Sequence, residues 1–175
     1  MEHNHHAHNM ISAESSAKEY AKFAIVVAAI TVLSYVLFLQ FGEAGLQGYL
    51  RSFMGIFFIV FATFKFIGYE MFAVMYAGYD IVAKRFRPYA YAYPFIELGL
   101  GLLYVFDVMP NGRDLLTLVI MAIGSIGVAQ EMKKRSGIHC ACLGNVIKLP
   151  LSTVSLVEDV GMGLMAAVML ALRAM

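Results

Sequence analysis

Charge is scarce in this 175-residue sequence. Asp, Glu, Lys and Arg make up 14% of it, where a soluble domain carries about a quarter. Thirteen basic residues against twelve acidic ones leave a net charge of +1. No basic face is dense enough to follow a phosphate backbone, which excludes a nucleic-acid partner. Cysteine is scarcer still: Cys140 and Cys142 are the whole complement, so a disulfide framework, which needs several spaced pairs, is excluded. There is no phosphate-cradling glycine loop, no nucleophile elbow and no His-Glu-x-x-His helix, which removes the usual grounds for an NTPase or hydrolase. A cleavable leader is also not expected. The first apolar run, Lys22 to Phe41, is too long for a signal core, and Glu14 and Glu19 offset Lys18 and Lys22 ahead of it.

What the sequence does have is apolar length. Hydrophobic residues reach 61% and the mean hydropathy is +0.73. They fall in five runs, at about 22–41, 49–68, 89–107, 115–132 and 153–173. About 20 helical residues cover the ~30 Å hydrocarbon core. In lipid only helices or closed barrels satisfy the backbone, and continuous rather than alternating runs select helices. The expected fold is therefore all-α, a polytopic helical bundle in the membrane with five spans. Four is the alternative count, and Pro94 and Glu97 make the third run the weakest. Turn chemistry at Glu43-Ala44-Gly45, Pro110-Asn111-Gly112 and Gly144-Asn145 with Pro150 separates runs. Between the second and third runs, residues 69–88 are amphipathic: Met71, Phe72, Met75 and Tyr79 recur at helical spacing opposite Glu70, Asp80, Lys84 and Arg85. Residues 1–21 are polar and are expected to form a mobile tail ahead of the membrane domain at 22–175.

Five spans put the N-terminus, residues 69–88 and the loop at 133–152 on one side. Lys18, Lys22, Lys65, Lys84, Arg85, Arg87, Lys133, Lys134, Arg135 and Lys148 belong to it, against Arg51, Arg113 and Arg173 on the other. That imbalance makes the first side cytoplasmic.

The residues able to carry chemistry gather on that side. Cys140 and Cys142 are soft thiolate donors one residue apart, able to chelate a Cu(I)-like ion or to cycle as a redox pair in a small, strained ring. His139 is a third ligand candidate. His3, His5, His6 and His8 form a low-affinity metal collector, with a plain solvated tail as the alternative. Lys65, Glu97 and Glu158 are charges inside apolar runs, where a charge is paired or functional. A Lys65–Glu97 ion pair is one reading, and a capping box Ser155-x-x-Glu158 at the start of the last helix is another. Glu158, Met162, Met165 and Met169 share one helical face, either an ion path or packing. Gly99, Gly101, Gly124, Gly127, Gly161 and Gly163 read as points of close helix approach. Tyr76, Tyr79, Tyr89, Tyr91 and Tyr93 read as anchors at the membrane interface.

Phe64-Lys65-Phe66, Tyr79-Asp80, the run from Tyr89 through Glu97 to Gly101, Cys140-Ala-Cys142-Leu-Gly144 and Leu149 to Asp159 together resemble the MauE/DoxX group of redox-associated membrane proteins. The resemblance implies a small helical bundle in a bacterial inner membrane with a thiol or metal task. Members are associated with disulfide-dependent maturation of a periplasmic enzyme, and those with a Cys-x-Cys-Leu-Gly loop with heavy-metal-binding domains. The expectations are thus a carrier of a soft metal ion at the cytoplasmic face or, alternatively, a thiol–disulfide component. Its partners would be the lipid bilayer, a metal-carrying or thioredoxin-like protein, or a second copy of the chain.

Overall fold

The computed structural model describes residues 3–41, 45–133 and 151–174. Every element among them is helical: α1 (His3–Phe41), α2 (Leu46–Ile67), α3 (Tyr69–Tyr79), α4 (Ile81–Arg85), α5 (Arg87–Val105), α6 (Pro110–Lys133) and α7 (Leu151–Ala174). Four of them contain stretches long and apolar enough to cross a membrane: Tyr20–Gln40, Leu46–Ile67, Pro110–Lys133 and Ser155–Ala174. This is a multi-pass helical membrane bundle.

The third apolar run becomes α5, which stays helical through Pro94. Its tyrosines, Pro94 and Glu97 make it less apolar than the four. It compensates by packing along α2. Gly55 faces Val105, Gly101 faces Ile59, and the rings of Phe66 and Phe95 lie 4.8 Å apart. The order of these contacts makes the two helices antiparallel, and α5 runs at the depth of α2. In the same way α6 and α7 pair antiparallel, with Gly124 against Asp159, Met121 against Gly163 and Asp114 against Arg173. Contacts of α7 with α2 and of α6 with α5 join the two pairs. α1 lies along α2, its Phe38 ring 6.1 Å from Tyr49. Only 11% of its apolar window is buried, so most of that surface is left for lipid.

Three local expectations change. The polar stretch expected to be a tail is part of α1, whose first turns it forms; Ala13, Glu14, Ala17, Lys18 and Glu19 are good helix formers. Pro110-Asn111-Gly112 is the first turn of α6 rather than a reverse turn, because proline suits a helix N-terminus. The reversal sits just before it, where Asp107 (φ 52°) and Met109 (φ 45°) adopt left-handed backbone. The amphipathic stretch forms two helices over 69–85, and Arg87 and Pro88 open α5. Asp80 breaks them and caps α4, its Oδ1 accepting from Val82 N (2.9 Å) and Ala83 N (2.8 Å). The buried stripe of α3 is Phe72, Ala73, Tyr76 and Tyr79, while Met71 is exposed.

Candidate functional site

Helix register brings three charges from three helices to one point. Lys65 sits near the end of α2, Glu97 in the middle of α5 and Glu158 in α7. Lys65 Nζ donates to Glu97 Oε1 (2.6 Å), Glu97 Oε2 (2.7 Å) and Glu158 Oε1 (2.5 Å). All three side chains are at most 2% exposed. An ammonium has three N–H donors, and here each meets a carboxylate oxygen. The fourth oxygen, Glu158 Oε2, is buried with no hydrogen-bond partner among the described residues. The ammonium also lies 5.2 Å from the ring centre of Tyr93 and 5.8 Å from those of Phe61 and Phe72, positions that favour a cation. Taking such charges out of water costs several kcal/mol each unless the pairing is close.

The expected Lys65–Glu97 pair is therefore present, and Glu158 joins it. The capping box is not formed. α7 begins at Leu151, so Ser155 and Glu158 are already inside the helix and the carboxylate is spent on Lys65. Its neighbour Asp159 is packed on α6, where a Cβ added to Gly124 would come within 2.7 Å of Asp159 Oδ2. The α3–α4 elbow closes over the same region, with Tyr79 O and the Asp80 backbone lying against Gly127 and Lys84 Nζ 3.4 Å from Glu131 Oε2.

The tyrosines are less peripheral than anchors would be. Tyr76, Tyr79 and Tyr93 are buried in the core, with the Tyr76 and Tyr93 rings 4.5 Å apart. Burial, reinforced by Tyr93 and Asp80, pushes the Tyr76 phenol well above its ordinary value, so it stays protonated. Tyr91 keeps an exposed position and donates to Glu70 Oε2 (3.2 Å). Met162 and Met169 are fully packed in the core, and Met165 leans on it.

The opposite end holds a second charged group. Arg113, 1% exposed, donates from Nη1 to Leu103 O (3.1 Å) and Asp107 Oδ1 (2.5 Å) and from Nε to Asp114 Oδ1 (3.4 Å), and it lies 4.7 Å from the Tyr104 ring centre. Asp114 also accepts from Arg173, and Asp107 Oδ2 is 3.7 Å from Arg51. A cavity of about 290 Å³ opens beside them, lined by Gln47, Arg51, Asp107, Met169 and Arg173. A count of basic residues by side registers these arginines without revealing their partners. The available signal was the alternation Asp107, Arg113, Asp114 at facing helix ends.

His139, Cys140 and Cys142 lie outside the described residues, as does most of the loop at 133–152. The flanking helix ends, Lys133 and Leu151, are at the Lys65–Glu97–Glu158 end of the bundle. α1 arrives from that end too, with His3, His5, His6 and His8 on its first turns.

No curated protein and no solved structure matches the chain. The family described as methylamine utilisation protein MauE matches over residues 26–172, which takes in all but the N-terminal part of the bundle. On the strength of that match the chain belongs to the MauE family.

Proposed function

We propose that the protein is a membrane-bound thiol–disulfide exchange component that serves the maturation of a partner protein, with Cys140 and Cys142 as the exchanging pair. The observation that carries this reading is the family match, which spans the Cys-x-Cys segment. The geometry adds support, since the helix ends flanking that segment stand over a buried charge cluster. One thiolate of the pair attacks a partner disulfide, forming a mixed disulfide and releasing one partner thiolate. The second cysteine then attacks the first, forming the internal disulfide and releasing the other. Two electrons pass to the partner, and both partner sulfurs end as thiols. A disulfide across one intervening residue is strained, hence readily reduced again. Lys133, Lys134, Arg135 and His139 nearby favour the thiolate.

The same reading places this end of the bundle in the cytoplasm. Lys22, Lys84, Arg85, Arg87 and Lys133 belong to it, whereas Arg51, Arg113 and Arg173 at the other end are engaged with aspartates. A reducing compartment keeps the pair as a dithiol at rest. The partner's class is a thioredoxin-like protein.

A second reading is favoured by one observation: the histidine-bearing start of α1 and the flanks of the cysteine loop share an end. In that reading Cys140, Cys142 and His139 hold a Cu(I)-like ion that His3, His5, His6 and His8 gather. Two thiolates and an imidazole suit a soft ion.

One experiment separates the two. The detergent-purified full chain is equilibrated in graded thiol–disulfide buffers, alkylated and weighed, alongside an anaerobic Cu(I) competition titration. A single two-electron transition that disappears in Cys140→Ser/Cys142→Ser supports exchange. Absence of a transition combined with tight binding of about one ion replaces it with the metal reading.

A further inference from the structure

We infer that Lys65, Glu97 and Glu158 form a one-proton binding site buried in the bundle, in which the two carboxyl groups hold a single exchangeable proton between them. The inference stands whether or not Cys140 and Cys142 exchange electrons.

One ammonium faces two carboxyl groups, and all three are essentially sealed from solvent. With both carboxylates ionised the cluster would carry a net negative charge in a site sealed from water, which is costly. One added proton makes it neutral. The hydrogen bonds lead to the same number. Lys65 uses its three donors on three oxygens, so the fourth, Glu158 Oε2, is left without a donor among the described residues. The two carboxyl groups meet at the same nitrogen, which puts them within reach of a shared proton.

The packing around the cluster is largely aromatic and apolar. α2 contributes Phe61, α3 contributes Phe72 and Tyr76, α5 contributes Tyr93, and α6 presents Gly124 and Met121. Beyond Glu158, α7 adds Ser155, Asp159 and Met162. Two further buried carboxyl groups belong to these elements: Asp159, next in α7 and packed on α6, and Asp80, which caps α4. Glu158 lies two turns into α7, about 10 Å from its start, so the α3–α4 end of the bundle is the nearer one.

Infrared spectroscopy of the full-length protein in lipid nanodiscs tests the count. At neutral pH the wild type should show a protonated carboxylic C=O band that shifts in D₂O. Glu97→Gln and Glu158→Gln should each abolish it, because the remaining carboxylate then pairs with Lys65 as a neutral couple. Lys65→Met should do the reverse and raise the band about twofold, since neither carboxyl keeps a counter-charge. Glu70→Gln, at an exposed position, should leave it unchanged. The inference is overturned if the band is missing in the wild type, or if it persists in both glutamine variants. Circular dichroism of each variant confirms that the bundle has formed, and if one glutamine variant does not fold, the other together with Lys65→Met still decides.

Discussion

Gly99 and Gly101 are two residues apart on α5, yet alanine should act on them with opposite sign. A Cβ on Gly99 would meet no heavy atom within 4 Å. There, alanine gains the usual helix-interior advantage over glycine, about 0.5–1 kcal/mol. A Cβ on Gly101 would lie 2.8 Å from Ile59 Cγ1, and 3.1 Å from both Gly55 O and Ile59 N. The isoleucine side chain can turn away, but the α2 backbone cannot, so the helices must part by a few tenths of an ångström. Overpacking of this kind costs about 1–3 kcal/mol, which outweighs the helix-propensity gain and leaves a net loss of about 1 kcal/mol for Gly101→Ala. Gly101→Leu should cost several times more and disturb the Lys65–Glu97 contact one turn away. Unfolding in mixed micelles of rising SDS fraction, followed by circular dichroism, gives the order Gly99→Ala, wild type, Gly101→Ala, Gly101→Leu from most to least stable. Equal midpoints for the two alanine variants would refute the close α2–α5 approach.

Two further outcomes follow from single residues. Asp80→Ala should lose about 1 kcal/mol by uncapping α4, while Asp80→Asn should recover most of it; equal stability of the two would discard the cap as the reason for Asp80. Tyr76 has its folded value raised by burial, so its stabilising contribution is complete below the unfolded value of about 10 and declines as pH rises above it. Tyr76→Phe should therefore flatten the alkaline side of a stability–pH curve above about pH 10, and an unchanged slope there would argue against a buried phenol.

Much of the architecture was legible in the order of residues. Five apolar runs became five long helices, and Lys65 with Glu97 could be paired because charges at similar depth on neighbouring spans have few other partners. Glu158 was harder to place. Ser155-x-x-Glu158 has the spacing of a cap, and only the start of α7 at Leu151 shows that the motif lies inside the helix. Glycine spacing marked the right helices but not the right faces: Gly101, Gly124 and Gly127 sit at close approaches, whereas Gly99 and Gly161 face open space. A pairwise spacing says which residues share a side of one helix, and the rotation of that helix against its neighbour is settled by the whole core. Tyr76, Tyr79 and Tyr93 were misplaced for the same reason. Tyrosine at a span end suits the headgroup region, and here the α3–α4 elbow covers that region with protein.

The turn between α5 and α6 also bears on how the chain enters a bilayer. α5 falls short of the apolarity of its neighbours, and α6 carries Arg113 and Asp114 directly after Pro110-Asn111-Gly112. Within this hairpin, though, Arg113 already holds Asp107 and the carbonyl of Leu103. A lone arginine at mid-membrane costs about 2.5–3.5 kcal/mol on insertion, and a counter-ion only six positions away moves with it from the start. With the cytoplasmic orientation proposed above, the hairpin would enter the bilayer with this arginine already paired, the apolar length of α6 carrying α5 alongside. Arg173 reaches Asp114 only after α7 has been synthesised, so that contact fastens a hairpin whose own arginine is already paired.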